Sequence, residues 1–177
     1  ETITTVGQEN QVIRGVRHVF KGSFGTLVVI ALKDYFRKAQ NFSKIAYGLV
    51  LALIGPFVMS LSVSKDSPFI FLLPMVAGMI TMVGIFPFTG EGFLETKDQL
   101  WIIHSVPKGP QRFVKARLTA IALIAIPLAL IATTAITVLF TRPLSEFPIF
   151  LLVTYLNIFG AAMVGTGMTA LNPTYDN

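Results

Sequence analysis

The sequence predicts an all-α, polytopic integral membrane protein with about four transmembrane helices, an N-terminal interfacial helix and a cytoplasmic amphipathic helix. Three observations carry this reading. Hydrophobic residues make up 53% of the 177 positions and charged residues only 13%, against roughly 45–50% and about 25% in soluble domains. Four uncharged stretches reach the roughly 20 residues that a helix needs to cross a hydrocarbon core of about 30 Å. The cations lie almost wholly on one side of those stretches, as topology requires and as a nucleic-acid surface does not.

The chain opens at Glu1, with no basic, apolar and small-residue succession of a secretory leader, so it is expected to be a processed or partial piece of something longer. Residues 1–44 form a cytoplasmic N-terminal segment. Its first 21 residues are expected to be loosely ordered or to belong to a preceding cytoplasmic part. Ser23 to Leu32 is apolar but too short to span, and it runs into a stretch where Tyr35, Phe36 and Phe42 alternate with Lys33, Arg37, Lys38 and Lys44. Basic residues interleaved with aromatics fit a helix lying in the interface, placed at Leu27 to Ala39.

Residues 45–88 form the first transmembrane hairpin, Ile45 to Ser64 and Pro68 to Phe88, joined by Lys65, Asp66 and Ser67. Residues 118–171 form the second, Leu118 to Phe140 and Pro148 to Leu171, joined by Thr141 to Phe147. Lipid offers the backbone no hydrogen bonds, so spans of this composition are helices. Twelve of the 14 Lys and Arg precede the first span or separate the second from the third, leaving Lys65 and Arg142 opposite. The positive-inside rule then puts the N-terminus, residues 89–117 and the tail 172–177 in the cytoplasm of a cell-membrane protein. Attraction to anionic lipid accounts for the net charge of +5 without nucleic acid.

Prolines 56, 74 and 127 fall within spans, where each removes a backbone donor. They read as ordinary kinks or, more sharply, as a gating element. In the fourth span Ala161, Gly165 and Thr169 recur every four residues and form a helix-packing face. Asn157 is a membrane amide that must find a partner, and it reads as a bridge between helices before it reads as a substrate contact.

Residues 89–117 form a cytoplasmic connection of nearly 30 residues, too long to be a mere turn and too apolar to be disordered. From Glu91 to Ser105, Phe93, Leu94, Leu100, Trp101 and Ile102 recur among Glu91, Glu95, Lys97 and Asp98 with a helical period. Pro107 stops this amphipathic helix, and Lys108, Gly109 and Pro110 complete a turn into a basic start of the third span. Such a helix either receives a partner or floats at the lipid surface with Trp101 as an aromatic anchor.

This loop resembles the first cytoplasmic loop in the membrane permeases of type-2 ABC exporters. The matching residues are Glu91, Glu95, Leu100, Ser105, Pro107 and Lys115, and the segment from Ala31 to Ser60 is similar to that family's elbow helix and first span. The resemblance covers about Leu27 to Phe140. It implies a permease subunit coupled to separate ATPase subunits through residues 91–110, with Glu91, Glu95, Trp101 and Pro107 on the coupling surface. Four spans are fewer than the family's usual six, which fits an incomplete permease, a longer permease seen in part, or a relative with another role.

The rest of the chemistry is quickly bounded. There is no P-loop, so ATP hydrolysis falls to a partner, and there are no cysteines. His18 and His104 have no acidic companion at ligand spacing, and no span holds an ionisable residue. The chain is expected to be neither an enzyme nor a holder of a cofactor or metal. Its expected partners are the bilayer, an ATP-binding subunit, and other membrane subunits or a second copy. The alternative is an accessory subunit that stabilises a larger membrane complex through its small-residue face.

Overall fold

A computed structural model describes residues 11–20, 22–37, 39–62, 68–82, 105 and 107–171, which form helices and turns and no strand. In chain order they are α1 (Gln11–Val19), α2 (Gly22–Arg37), α3 (Ala39–Ser62), a 3₁₀ turn (Pro68–Leu72) running into α4 (residues 73–82), α5 (Gly109–Leu139), a 3₁₀ turn (Leu144–Glu146) and α6 (Phe147–Leu171).

Three of these are long and apolar enough to cross a membrane: Ile45–Ser62 in α3, Gly109–Leu139, and Leu144–Thr169. The expected span from Pro68 to Phe88 is described only as far as Met82. The apolar helix Phe69–Met82 is shorter than the roughly 20 residues a crossing takes. Residues 83–88 lie outside the described residues, so three helices long and apolar enough to cross are found among the described residues. Pro74 is the second residue of α4, where a missing N–H breaks no helical bond.

α5 is the axis of the bundle and packs against α2, α3 and α6. Close approach is possible because its inward positions are small: Ala120, Ala125, Ala129 and Ala132 have no exposed surface, and Ala116 has almost none. At one end, Val28 and Leu32 of α2 pack with Ile121 and Leu128 of α5 and with Ile158 of α6. At the other, Ile70, Leu73 and Ala77 pack with Ile136 and Phe140 of α5 and with Phe150 of α6.

Two findings revise the N-terminal expectation. Residues 11–19, expected to be loosely ordered, form α1, with Ile13 and Val16 half-buried and Arg14, Arg17 and His18 exposed. α2 begins five residues before the expected helix and ends at Arg37. It buries Val28, Val29 and Leu32, so this apolar run is part of the core. Gly22, at φ 81, makes the left-handed turn between α1 and α2, and Phe20 meets Phe24 edge to face across it, 6.1 Å between ring centres.

The α5–α6 corner is specified by hydrogen bonds. Thr141 adopts a left-handed conformation (φ 51), its N–H bonds Val138 O at 3.3 Å, and the Arg142 N–H bonds Thr137 O at 3.0 Å. This is a Schellman motif with threonine in the position that glycine usually fills. The turn holds Arg142 so that Nε and Nη2 each donate to Glu146 at 2.8 Å, with the guanidinium 6.0 Å from the centre of the Phe71 ring.

Candidate functional site

The base of α5 is where the residues singled out by sequence come closest to a described surface. Pro107 is exposed in the turn that starts the helix, and Ser105 beside it is exposed as well. Lys108 follows in a left-handed conformation (φ 59), Pro110 occupies the first turn, and the Arg112 N–H bonds Lys108 O at 3.0 Å. Proline suits this place because its nitrogen has no helical partner there. Glu91, Glu95 and Trp101 of the same expected surface, together with Leu100 and His104, lie outside the described residues.

From that turn α5 runs for 31 residues, about 46 Å at 1.5 Å per residue, against a hydrocarbon core of roughly 30 Å. It is thus about ten residues longer than a perpendicular crossing needs. Arg112 and Lys115 lie exposed near its N-terminal end. Arg117 turns inward, 8% exposed, with its guanidinium 5.5 Å from the centre of the Phe113 ring, a cation–π arrangement. α2 packs against α5 just above, through Val28 and Leu32 beside Ala116 and Ala120, and α1 packs in turn against α2. A single helix thus runs from the turn at Pro107 into the bundle, with α2 packed against it.

Of the small-residue face on α6, Gly165 is buried and Ala161 and Thr169 are half-buried, with the Thr169 hydroxyl donating to Gly165 O at 3.0 Å. Asn157 donates from Nδ2 to Val153 O of its own helix at 2.9 Å. Thr154 does make a hydrogen bond between helices, its hydroxyl donating to Pro74 O at 3.3 Å. There Gly78 of α4 lies so close to α6 that an added Cβ would stand 2.8 Å from Asn157 Cβ. Nothing in the sequence of α6 alone marks Thr154 out, since its partner is a carbonyl 80 residues away. The alanine column of α5, which sequence reading passed over, did carry a signal in the four-residue spacing of Ala116 and Ala120 and of Ala125 and Ala129.

The other membrane threonines bond within their own helices: Thr81 to Ala77 O, Thr134 to Leu130 O, Thr137 to Thr133 O and Thr166 to Ala162 O. Thr133 is fully buried with its hydroxyl unpaired. Among the described residues no group of three or more His, Asp or Glu could hold a metal ion. What these residues offer is a long central helix with exposed basic residues near its start. No family model, curated protein or solved structure matches the chain.

Proposed function

We propose that the chain is a membrane-spanning permease subunit, or part of one, of an ABC-type exporter, driven by separate ATPase subunits that engage residues 91–110 from the cytoplasm. The observation that supports this most is the continuity of α5. The helix that begins at the end of the expected coupling loop is longer than a crossing needs and holds the centre of the bundle. Force applied at the loop has a direct path to α2, α3 and α6, which all rest on α5. Pro127, in the middle of α5, leaves the Leu123 carbonyl without its helical donor, so bending concentrates there.

In this reading Glu91 and Glu95 meet cationic or amide groups of the ATPase, Trp101 fills an apolar pocket of it, and Pro107 sets the angle between loop and lever. The exposed Lys108, Arg112 and Lys115 hold the base of α5 at the anionic cytoplasmic surface of the cell membrane, with both termini on that side.

A second reading, an accessory subunit within a larger complex, is favoured by the outer face of α6. Gly160 and Gly167 open onto free space there, and Val164 and Met168 are 60% and 63% exposed, a surface that another helix could cover.

The chain has no cysteine, so single cysteines placed at Glu95 or Trp101 are unique handles. Thiol crosslinking in native membranes is expected to join either position to a protein with a P-loop, and a cysteine at Met163 is expected not to do so. Crosslinks from 95 and 101 to no ATPase, with Met163 joined to another membrane subunit, would establish the accessory reading instead.

A further inference from the structure

A pocket of about 880 Å³ opens among α1, α2, α3 and α5, in the upper part of the 300–1,000 Å³ range of small-molecule sites. Val16 of α1, Phe36 of α2, Leu49 of α3, and Pro127 and Ile131 of α5 line it, and Lys33 is the one charged side chain in its wall. We infer that this pocket binds one acyl chain of an anionic membrane phospholipid, with the headgroup held at Lys33.

Three features select that occupant. The first is depth. Along α5 the lining runs from Leu123 to Ile131, about 12 Å at 1.5 Å per residue, close to half of a core roughly 30 Å thick. A spanning helix from another subunit needs the full thickness, whereas an acyl chain ends at mid-membrane. The second is enclosure. Four helices wall the pocket, one of them the nine-residue α1, which is too short to cross and lies at the basic end of the bundle.

The third feature is charge. Lys33 lines the pocket and is exposed, and a lysine so placed can lay its aliphatic stem along apolar wall while its ammonium reaches a headgroup. α1 adds exposed Arg14 and Arg17 and no acid, and Asp34 is the acid on the described part of α2. Among the described residues of α1 and α2 cations outnumber acids, which favours an anionic headgroup over a zwitterionic one. The site does not depend on the exporter reading, since a subunit that only scaffolds would hold the lipid as well.

Native mass spectrometry of the purified chain with its native partner subunits, titrated with phosphatidylglycerol and with phosphatidylcholine of identical acyl chains, tests the assignment. One phosphatidylglycerol is expected to bind per chain, at several-fold lower concentration than phosphatidylcholine. Lys33→Ala is expected to weaken it about fivefold, the effect of one cation at an anionic surface, while Lys33→Arg retains it. Leu49→Trp, which puts a bulky ring into the pocket where Leu49 lines it, is expected to weaken binding with helix content unchanged by circular dichroism. Equal binding of the two lipids by the native protein would overturn the inference. So would a preference that survives Lys33→Ala, or a free fatty acid of the same chain length binding as tightly as the phospholipid. Lys33 is exposed, so its variants keep the test decisive even where the tryptophan disturbs packing.

Discussion

Replacing Gly78 with alanine tests whether α4 and α6 touch as closely as described. A Cβ at this position would lie 2.8 Å from Asn157 Cβ and 3.3 Å from Thr154 O, whereas ordinary contacts begin at 3.4 Å. Restoring normal contact needs the two helices to part by at least about 0.6 Å, and overpacking of this kind costs about 1–3 kcal/mol. Parting them also stretches the Thr154 hydroxyl bond to Pro74 O, already 3.3 Å long. Against this, alanine gains roughly 0.5–1 kcal/mol over glycine inside a helix. The net expectation is a loss of about 1–2 kcal/mol, with a larger loss for valine.

Gly160 and Gly167 provide the internal control, because a Cβ there meets nothing within 4 Å. Alanine at either position is expected to be neutral or stabilising by up to about 1 kcal/mol. The assay is equilibrium unfolding in mixed detergent micelles, followed by helical circular dichroism. The pair Gly78→Ala and Asn157→Gly makes a double-mutant cycle, in which removing the Asn157 side chain is expected to recover part of the Gly78→Ala loss. Gly78→Ala as stable as the native protein, or no different from Gly160→Ala, would refute the packing argument.

Three further substitutions follow from single features, all read by the same unfolding assay. Thr133→Val removes a buried hydroxyl that has no partner and keeps the side chain's shape, so it is expected to stabilise by about 1 kcal/mol; a loss of stability would mean that the hydroxyl is bonded. Thr141→Gly relieves a β-branched residue of a left-handed conformation and is expected to stabilise by roughly 0.5–1 kcal/mol, and a loss would contradict the turn geometry. Thr154→Val deletes the hydroxyl bond between α6 and α4 and is expected to cost about 0.6 kcal/mol, the usual worth of such bonds in membranes, where no change would count against it.

Much of the fold was legible because membranes impose simple rules on composition. The uncharged run from Pro148 to Leu171 became a helix starting at Phe147 and ending at Leu171, and that from Ile45 became the apolar window of α3. The basic start read ahead of the apolar run from Leu118 is helical as well, because charge marks a membrane boundary and not a helix boundary. Arg112, Lys115 and Arg117 are good helix formers and carry α5 back to Gly109.

α2 was harder to read. Ser23 to Leu32 is too short to span, and its role as core depends on the small surface of Ala116 and Ala120, some 90 residues later in the chain. α1 was passed over although its period was legible, with Val12, Ile13, Val16 and Val19 at helical spacing between Arg14, Arg17 and His18. Of the expected coupling surface, the sequence predicted a turn at Pro107, and there the chain turns into α5 with Pro107 exposed. The packing residues illustrate the remaining limit. Asn157 draws notice by its chemistry, yet Thr154 makes a bond between helices, and that choice is set by where Gly78 lets α4 approach.

The proposal that this subunit is driven by a partner ATPase is tested most directly by the composition of its native complex. Solubilisation in a mild detergent, purification through a tag on this chain and mass spectrometry of every protein present would settle it. A P-loop ATPase in stoichiometric amount is the expected result. A stable complex of other membrane subunits with no ATPase would contradict the account and make the chain a structural component.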